Sequence, residues 1–257
     1  MINMPEYYKT SDSYAEMLRN QDVSVFALYI DLFKKFASPG GSVIDIGCGV
    51  GTSTLLLRQA GFDAMGTDVS EKFLPASKDK FCVVDFQNAV DIPSNTYSTV
   101  GTMNVIEHVE NPKNFLAEIV RVVQPGGKII LLAPNLTSPI VPAGIVRDLL
   151  KKNTPYLGIT SLSKAFALVG INFWRSLLAE LGRNAFEMRK PILDNGIVGY
   201  DADAVYWTNA REISRFLESK SCKILLFQKQ GSSTLSKLIA NLLPGFAGKV
   251  CIVAQKN

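Results

Sequence analysis

The chain has 257 residues, 47% of them apolar and 19% charged, long enough to bury a core without disulfide or metal staples and too apolar for a disordered protein. Its 27 Lys and Arg against 23 Asp and Glu leave a net charge of +4 with no dense basic run, so the clustered basic stripe of a nucleic-acid groove is missing. The cysteines, Cys48, Cys82, Cys222 and Cys251, are widely spaced without a CxxC pair, a pattern of reduced thiols in a cytoplasmic protein rather than a metal site or disulfide framework.

The first residues are polar and acidic where a secretory leader has a basic start and an apolar stretch. Residues 12–36 carry helical periodicity, with Val25, Leu28, Tyr29, Leu32, Phe33 and Phe36 three and four apart. The cluster Ser38-Pro39-Gly40-Gly41 stops that helix. Four short apolar runs follow as strands: 43–46, 62–67 ending at Asp68, 81–84 ending at Asp85, and 97–103 ending at Asn104. A helix over 52–60 separates the first two, closed by Gly61. An amphipathic helix over 114–123 stops at Gln124-Pro125-Gly126-Gly127, and a fifth strand runs over 128–133. Strands alternating with helices indicate βαβ units and a mostly parallel sheet, which suits these nearly all-apolar strands.

Beyond residue 136 the rhythm breaks. Residues 136–205 read as an insertion of helical stretches with no clear strand. The apolar stretch 162–181 is interrupted by Lys164, Asn172, Arg175 and Glu180 and does not span a membrane. Within it Phe166, Gly170, Phe173, Leu177 and Leu181 share one helical face, with Trp174 and Leu178 beside it, either as ordinary core or as a membrane-surface helix aided by Lys164, Arg175, Arg183, Arg189 and Lys190. Residues 236–246 form a second such stretch. Sheet rhythm returns with a helix over 209–219 and strands over 223–228 and 249–254.

The strongest chemical signal is Val43-Ile44-Asp45-Ile46-Gly47-Cys48-Gly49-Val50-Gly51, a strand running through a glycine-rich turn into a helix. That arrangement presents backbone N–H groups and a helix N-terminus to a ligand. A dinucleotide fingerprint is GxGxxG, which would need a third glycine where this chain has Thr52. Here the spacing is GxGxG, and Asp45 just ahead of it would repel a pyrophosphate but could hold a cationic ligand.

With these motifs in this order, the chain resembles the class I S-adenosylmethionine-dependent methyltransferases of the ubiquinone/menaquinone-biosynthesis type, over roughly residues 40–135 and again around 206–228. The resemblance implies an α/β doubly wound, Rossmann-like sheet of seven strands with the last antiparallel. It implies one domain: an N-terminal helical cover over 1–40, a cofactor-binding half over 41–135, a helical insertion or lid over 136–205, and C-terminal strands over 206–257. Similar enzymes use a helix such as 162–181 as a lid over the acceptor.

The resemblance assigns S-adenosylmethionine to Asp45, Gly47, Cys48, Gly49 and Gly51 at the turn. Asp68, seventeen positions after Gly51, would take the ribose hydroxyls, with Val69 packed on the adenine. The same Asp68 reads as a helix N-cap before Val69-Ser70-Glu71, and the two roles are compatible. Asp85-Phe86 would hold the adenine, with Asn88 as the alternative if the segment up to Pro93 shifts the alignment. Asn104 would meet the methionine portion. Glu107-His108 is the family's acid–histidine pair. His108, the sole histidine, is the candidate general base, with a structural role for the pair as the competing reading. Some relatives bind a divalent ion through E-x-x-E-H, but Asn104 replaces the first acid here, so no metal is expected. Asp201 and Asp203, in a stretch loosely like methyltransferases of polysaccharide pathways, are left without a role.

The expected reaction is methyl transfer to a small-molecule or lipid- or sugar-linked acceptor, at oxygen, with S-adenosyl-L-homocysteine as product and with peripheral contact to a membrane surface. The alternatives are a cofactor-binding protein of the same fold without turnover and a C-methyltransferase of quinone-type acceptors. A nucleic-acid methyltransferase is disfavoured by Asn104-Val105-Ile106, where such enzymes carry Asn/Asp-Pro-Pro-Tyr/Phe.

Overall fold

The computed structural model describes residues 4–75, 79–153, 156–183, 185–193, 200–227, 238 and 242–257. Its centre is one seven-stranded sheet: β1 (Ser42–Ile46), β2 (Asp63–Asp68), β3 (Phe81–Val83), β4 (Tyr97–Met103), β5 (Val123–Pro134), β6 (Cys222–Phe227) and β7 (Lys249–Lys256), in the spatial order β3-β2-β1-β4-β5-β7-β6. β1 to β5 pair in parallel, while β7 runs antiparallel to both β5 and β6. This is the doubly wound sheet expected from the alternating pattern, with the antiparallel last strand.

Alternation along each strand divides the core in two. Ile44, Ile129, Leu131 and Ile252 feed one cluster, with Phe115, Leu116 and Ile119 of helix α5 (Pro112–Val122) packed on them. Val43, Ile130, Leu132 and Val253 feed the other, under Tyr29 and Phe33 of α3 (Ala27–Phe36). Burying each such side chain contributes about 1.5–3 kcal/mol, and Phe115→Ala would cost about 3–5 kcal/mol. α3 lies unusually close to β4 because Gly101 has no side chain. A Cβ there would stand 2.1 Å from the Tyr29 hydroxyl.

Three boundaries differ from the sequence reading. The periodic stretch 12–36 is not one helix: α1 (Met4–Thr10) precedes α2 (Asp12–Arg19), and the chain then turns through Asn20-Gln21. Asp22, accepting from the Ser24 N–H at 2.8 Å, starts a fresh 3-10 turn into α3. β5 begins at Val123 rather than Lys128, because the Pro125-Gly126-Gly127 turn is a bulge inside the strand: Tyr97 pairs with Val123 and Thr99 with Lys128. α4 (Thr52–Gln59) and α8 (Ala210–Ser219) start and end within about a residue of expectation.

The insertion holds two helices, α6 (Ile140–Leu150) and α7 (Leu162–Glu180), packed on each other through Ile145, Ala165 and Leu168. Of the two readings left open for the stripe on α7, the structure disagrees with ordinary core. The buried residues of α7 are Ala165, Leu168, Asn172, Ser176 and Ala179. Phe166, Ile171, Phe173 and Trp174 face outward. Of the second stretch, 236–246, residues 236, 237 and 239–241 lie outside the described residues. None of the four cysteines is in a disulfide. Among the described residues no helix is long and apolar enough to cross a membrane.

Candidate functional site

A cavity of about 310 Å³ opens beyond the carboxyl ends of β1, β2 and β4, where open α/β sheets place their ligands. Asp45, Gly47, Cys48, Gly49, Asp68, Val69, Asp85, Phe86, Asn104 and His108 all line it. Gly51 stands just behind as the N-cap of α4.

The turn after β1 is fastened by main-chain bonds: the Gly47 and Cys48 N–H groups both donate to the Thr67 carbonyl, at 2.7 and 2.9 Å. Gly47 sits at φ 72°, and a Cβ on it would stand 2.2 Å from a methyl of Val105. No other residue type combines that backbone with that approach. The Gly49 N–H donates to Asp68 Oδ2 at 2.9 Å and the Ser70 N–H to Asp68 Oδ1 at 3.1 Å. Burial holds the Asp68 carboxyl up at about 6 against these bonds. Residues after Asp68 form a turn and not a helix, so the N-cap reading gives way to an Asx-type turn. Each Asp68 oxygen keeps acceptor capacity for a further donor.

Asp45 is more engaged than the sequence suggested. Its Oδ1 accepts from Tyr29 at 2.7 Å, and its Oδ2 from Ser53 at 2.6 Å and Thr54 at 2.7 Å. Burial raises its carboxyl despite the three hydroxyls. Asp45 therefore ties β1 to α3 and to the first turn of α4, and leaves a cation-friendly carboxylate on the cavity wall. Asp85 Oδ1 accepts from the Gln87 N–H at 3.0 Å, and its Oδ2 from the Asn88 amide at 2.8 Å. Asp85 lines the cavity and Asn88 does not. Asn104 holds a left-handed backbone, φ 54°, at the end of β4.

The other end of the cavity is built from distant parts of the chain. His108 Nδ1 lies 3.4 Å from Asp203 Oδ2, and His108 Nε2 lies 3.8 Å from Glu107 Oε1. Tyr8 of α1 donates to Asp203 Oδ2 at 2.8 Å. Tyr156 donates to Asp201, whose backbone is left-handed. Burial would push the His108 imidazolium toward neutrality, but Asp203, Glu107 and Asp201 outweigh it and raise its pKa. Glu107 is fully buried, and neither of its carboxylate oxygens has a hydrogen bond. Burial lifts it to about 8, against the pull of His108, and lifts Asp201 to about 6. The loop is fastened instead by the Glu107 carbonyl, which accepts from the Val205 and Tyr206 N–H groups at 2.8 and 3.0 Å.

Asp201, Asp203 and Tyr8 are functional candidates that sequence reasoning left unassigned. The Asp201-Ala202-Asp203 pair was visible as chemistry, but its partner His108 is 95 positions away. Neither acid caps α8, a role taken by Asn209. Glu107, His108 and Asp201 each bring a ligand atom within 4.8 Å of the others, a donor set able to hold a cation that the Asn104 argument did not foresee. No residue of α7 lines the cavity, so the lid expected of 162–181 is not found there.

The order of the sheet, the turn after β1 and the acids at the strand ends meet in the comparison with known proteins. Residues 44–131 match the family model described as a methyltransferase domain. The likeness to that family therefore lies on the stretch that carries the glycine turn and the strand-end acids. Demethylmenaquinone methyltransferase of Renibacterium salmoninarum is 33% identical over 99 residues, 37% of this chain and 42% of that protein. The ubiquinone biosynthesis O-methyltransferase of Methylococcus capsulatus is 29% identical over 105 residues, 37% of this chain and 44% of that protein. The chain thus spans less than half the length of these curated relatives.

Among solved structures, magnesium protoporphyrin IX methyltransferase from Synechocystis with bound SAH superposes with a TM-score of 0.56 at 17% identity, covering 98% of each chain. An S-adenosylmethionine-dependent methyltransferase structure from Listeria monocytogenes gives 0.56 at 14% identity, covering 90% of this chain and 99% of the other. These show that the likeness in fold extends over almost the whole chain.

Proposed function

We propose that the protein transfers a methyl group from S-adenosylmethionine to an oxygen of a small, uncharged, hydroxyl-bearing acceptor of the quinol or phenol class. The residues fit the cofactor: Asp68 has acceptor capacity for the ribose hydroxyls, Asp85 and Phe86 wall the adenine end with Val69, and Gly47, Cys48, Gly49 and Asn104 surround the methionine end. When bound, S-adenosylmethionine supplies a sulfonium that already makes its methyl group electrophilic. The cavity wall carries Asp45, Asp68, Asp85, Asp201 and Asp203 and, among the described residues, no Lys or Arg. Such a wall favours a cation and disfavours a phosphate or carboxylate on the acceptor.

The observation that carries the reading is His108, on the cavity wall with a carboxylate behind it. The charge of Asp203, 3.4 Å from Nδ1, favours the imidazolium, so His108 takes the acceptor's hydroxyl proton as the oxygen is alkylated. Tyr8 fixes Asp203 in turn, as a positioning residue. The rest of the acceleration comes from holding the acceptor in line at attack distance. The bonds from Tyr8 to Asp203 and from Ser70 Oγ to the Tyr8 carbonyl, 3.1 Å, support reading 1–257 as one unit with 1–40 as its cover. Relatives named for ubiquinone and menaquinone biosynthesis favour a quinol among the possible acceptors.

The test has two stages. Calorimetric titration with S-adenosylmethionine and S-adenosylhomocysteine, NAD as control, is expected to give micromolar binding to the sulfur compounds alone, lost in Asp68→Ala. Quinols and phenols are then screened for methylation, with His108→Gln alongside and the product's methyl position read by NMR. Binding without turnover on any acceptor, or methyl groups found on carbon, would overturn the oxygen-transfer reading.

A further inference from the structure

The polarity of α7 is inverted. A surface helix ordinarily buries its apolar stripe and exposes its polar one. Here Asn172 and Ser176 are fully buried, and both are fully used. The Asn172 amide donates to the carbonyls of Leu136 and Ser138 at 2.8 and 3.1 Å, and the Ser176 hydroxyl contacts the carbonyls of Thr137 and Gly245 at 3.0 and 2.8 Å. These bonds fix which face looks inward. The outward face then carries Phe166 at 62% exposure, Ile171, Phe173, Trp174 at 61%, and Leu181 at 75% just past the helix. Phe173 packs edge-on against Phe246, which joins this face to exposed Leu242 and Leu243. Contiguous exposed apolar surface of this kind is a mark of an interaction site.

Charge decides the occupant. Among the exposed residues of 162–183 the charged ones are Lys164 and Arg183, one near each end of the apolar face. The single acid of α7, Glu180, is turned away into an ion pair with Arg211 at 2.8 Å. An aromatic and aliphatic face flanked by cations and free of exposed acid suits a helix lying in the interface of an anionic bilayer, with Trp and Phe among the acyl chains and Lys and Arg at the headgroups. The polar inner face is satisfied by the protein itself, and among the described residues no helix is long and apolar enough to cross, so it is the outward face of α7 that is offered to a bilayer surface. We infer that the outward face of α7 is a docking surface for an anionic lipid membrane. This surface is separate from the cavity, and the inference stands whatever is methylated there.

Flotation of the full chain with vesicles tests it, comparing pure phosphatidylcholine with phosphatidylcholine containing phosphatidylglycerol. Binding is expected to the anionic vesicles, to weaken as salt is added, and to fall roughly tenfold or more in Phe166→Ser/Trp174→Ser. Lys164→Glu/Arg183→Glu should remove the preference for anionic lipid. Circular dichroism and a thermal melt establish that each variant is folded. In a Trp207→Phe background, which leaves Trp174 as sole tryptophan, emission should shift to the blue on binding and be quenched by brominated lipid. Binding to neither vesicle, or binding unaffected by the Phe166/Trp174 change, overturns the inference. A dimer seen by light scattering that this change dissolves, without lipid binding, overturns it in favour of a second copy.

Discussion

The two ends of the cavity are made in opposite ways. At the cofactor end every carboxylate is engaged: Asp45 by three hydroxyls, Asp68 by two main-chain N–H groups, Asp85 by one N–H and one amide. At the other end Glu107 has no hydrogen bond at either oxygen, Asp203 Oδ1 has none, and neither does His108 Nδ1. The first end is a finished frame that a ligand joins without rearranging it. The second holds buried polar atoms short of partners, which costs stability in the free protein and is the kind of local inconsistency that functional sites carry. On the proposed function, the difference teaches a division of labour, with rigidity for the cofactor and unmet hydrogen-bonding demand for the acceptor.

Removing the proposed base should give the largest effect. His108→Gln is expected to lower kcat by about 10²–10⁴-fold while leaving S-adenosylhomocysteine affinity within a small factor, measured by steady-state kinetics and calorimetry. A loss of affinity instead would break the separation between the two ends. Asp68→Ala is the converse case: affinity for S-adenosylhomocysteine should fall by about 100-fold, the worth of charge-assisted bonds to two hydroxyls.

The pH dependence of stability sharpens the contrast. The Glu107 carboxyl is raised to about 8, so the unfolded chain ionises it first and its folded-state contribution is lost as pH climbs from the ordinary Glu range toward 8. His108, also raised, acts in the same direction: its contribution is complete below the ordinary His value and lost as pH rises through the folded one. Glu107→Gln removes one of these losses. Its melting temperature should match the parent below about pH 4 and exceed it increasingly toward pH 8, because each tenfold preference of the folded state for the proton is worth roughly 1.4 kcal/mol. Parallel melting curves would mean that Glu107 is paired in solution. The smallest effect concerns metal. Treatment with EDTA is expected to leave turnover unchanged, and restoration by a divalent ion after chelation would make the trio Glu107, His108 and Asp201 a ligand set.

The same contrast explains what could be read from the sequence. The cofactor end is local: strand, glycine turn and helix follow one another within residues 43–54, and each acid terminates its own strand, so period and spacing locate them. The acceptor end depends on contacts between Tyr8, His108 and Asp203, up to 195 positions apart, which no window of sequence can join. α7 failed differently. Periodicity showed the apolar face but left open whether it turns inward as core or outward as a surface helix. What decides it is a set of distant carbonyls, Leu136, Thr137 and Ser138, that accept from Asn172 and Ser176 on the opposite face. The bulge in β5 went unread because Pro-Gly-Gly ends an element more often than it interrupts one.

The place of β7 has a consequence for synthesis. β6 is made before β7, yet β7 is its only neighbour in the sheet, and β7 also covers the long edge of β5. Until residues 249–256 have left the ribosome, a twelve-residue strand with an apolar centre has an open edge able to pair with any nascent neighbour. β6 meanwhile has nowhere to dock. The sheet therefore closes after translation of this segment and not during it, and the nascent chain passes through an aggregation-prone stage in which a chaperone that shields strand edges would be of most use.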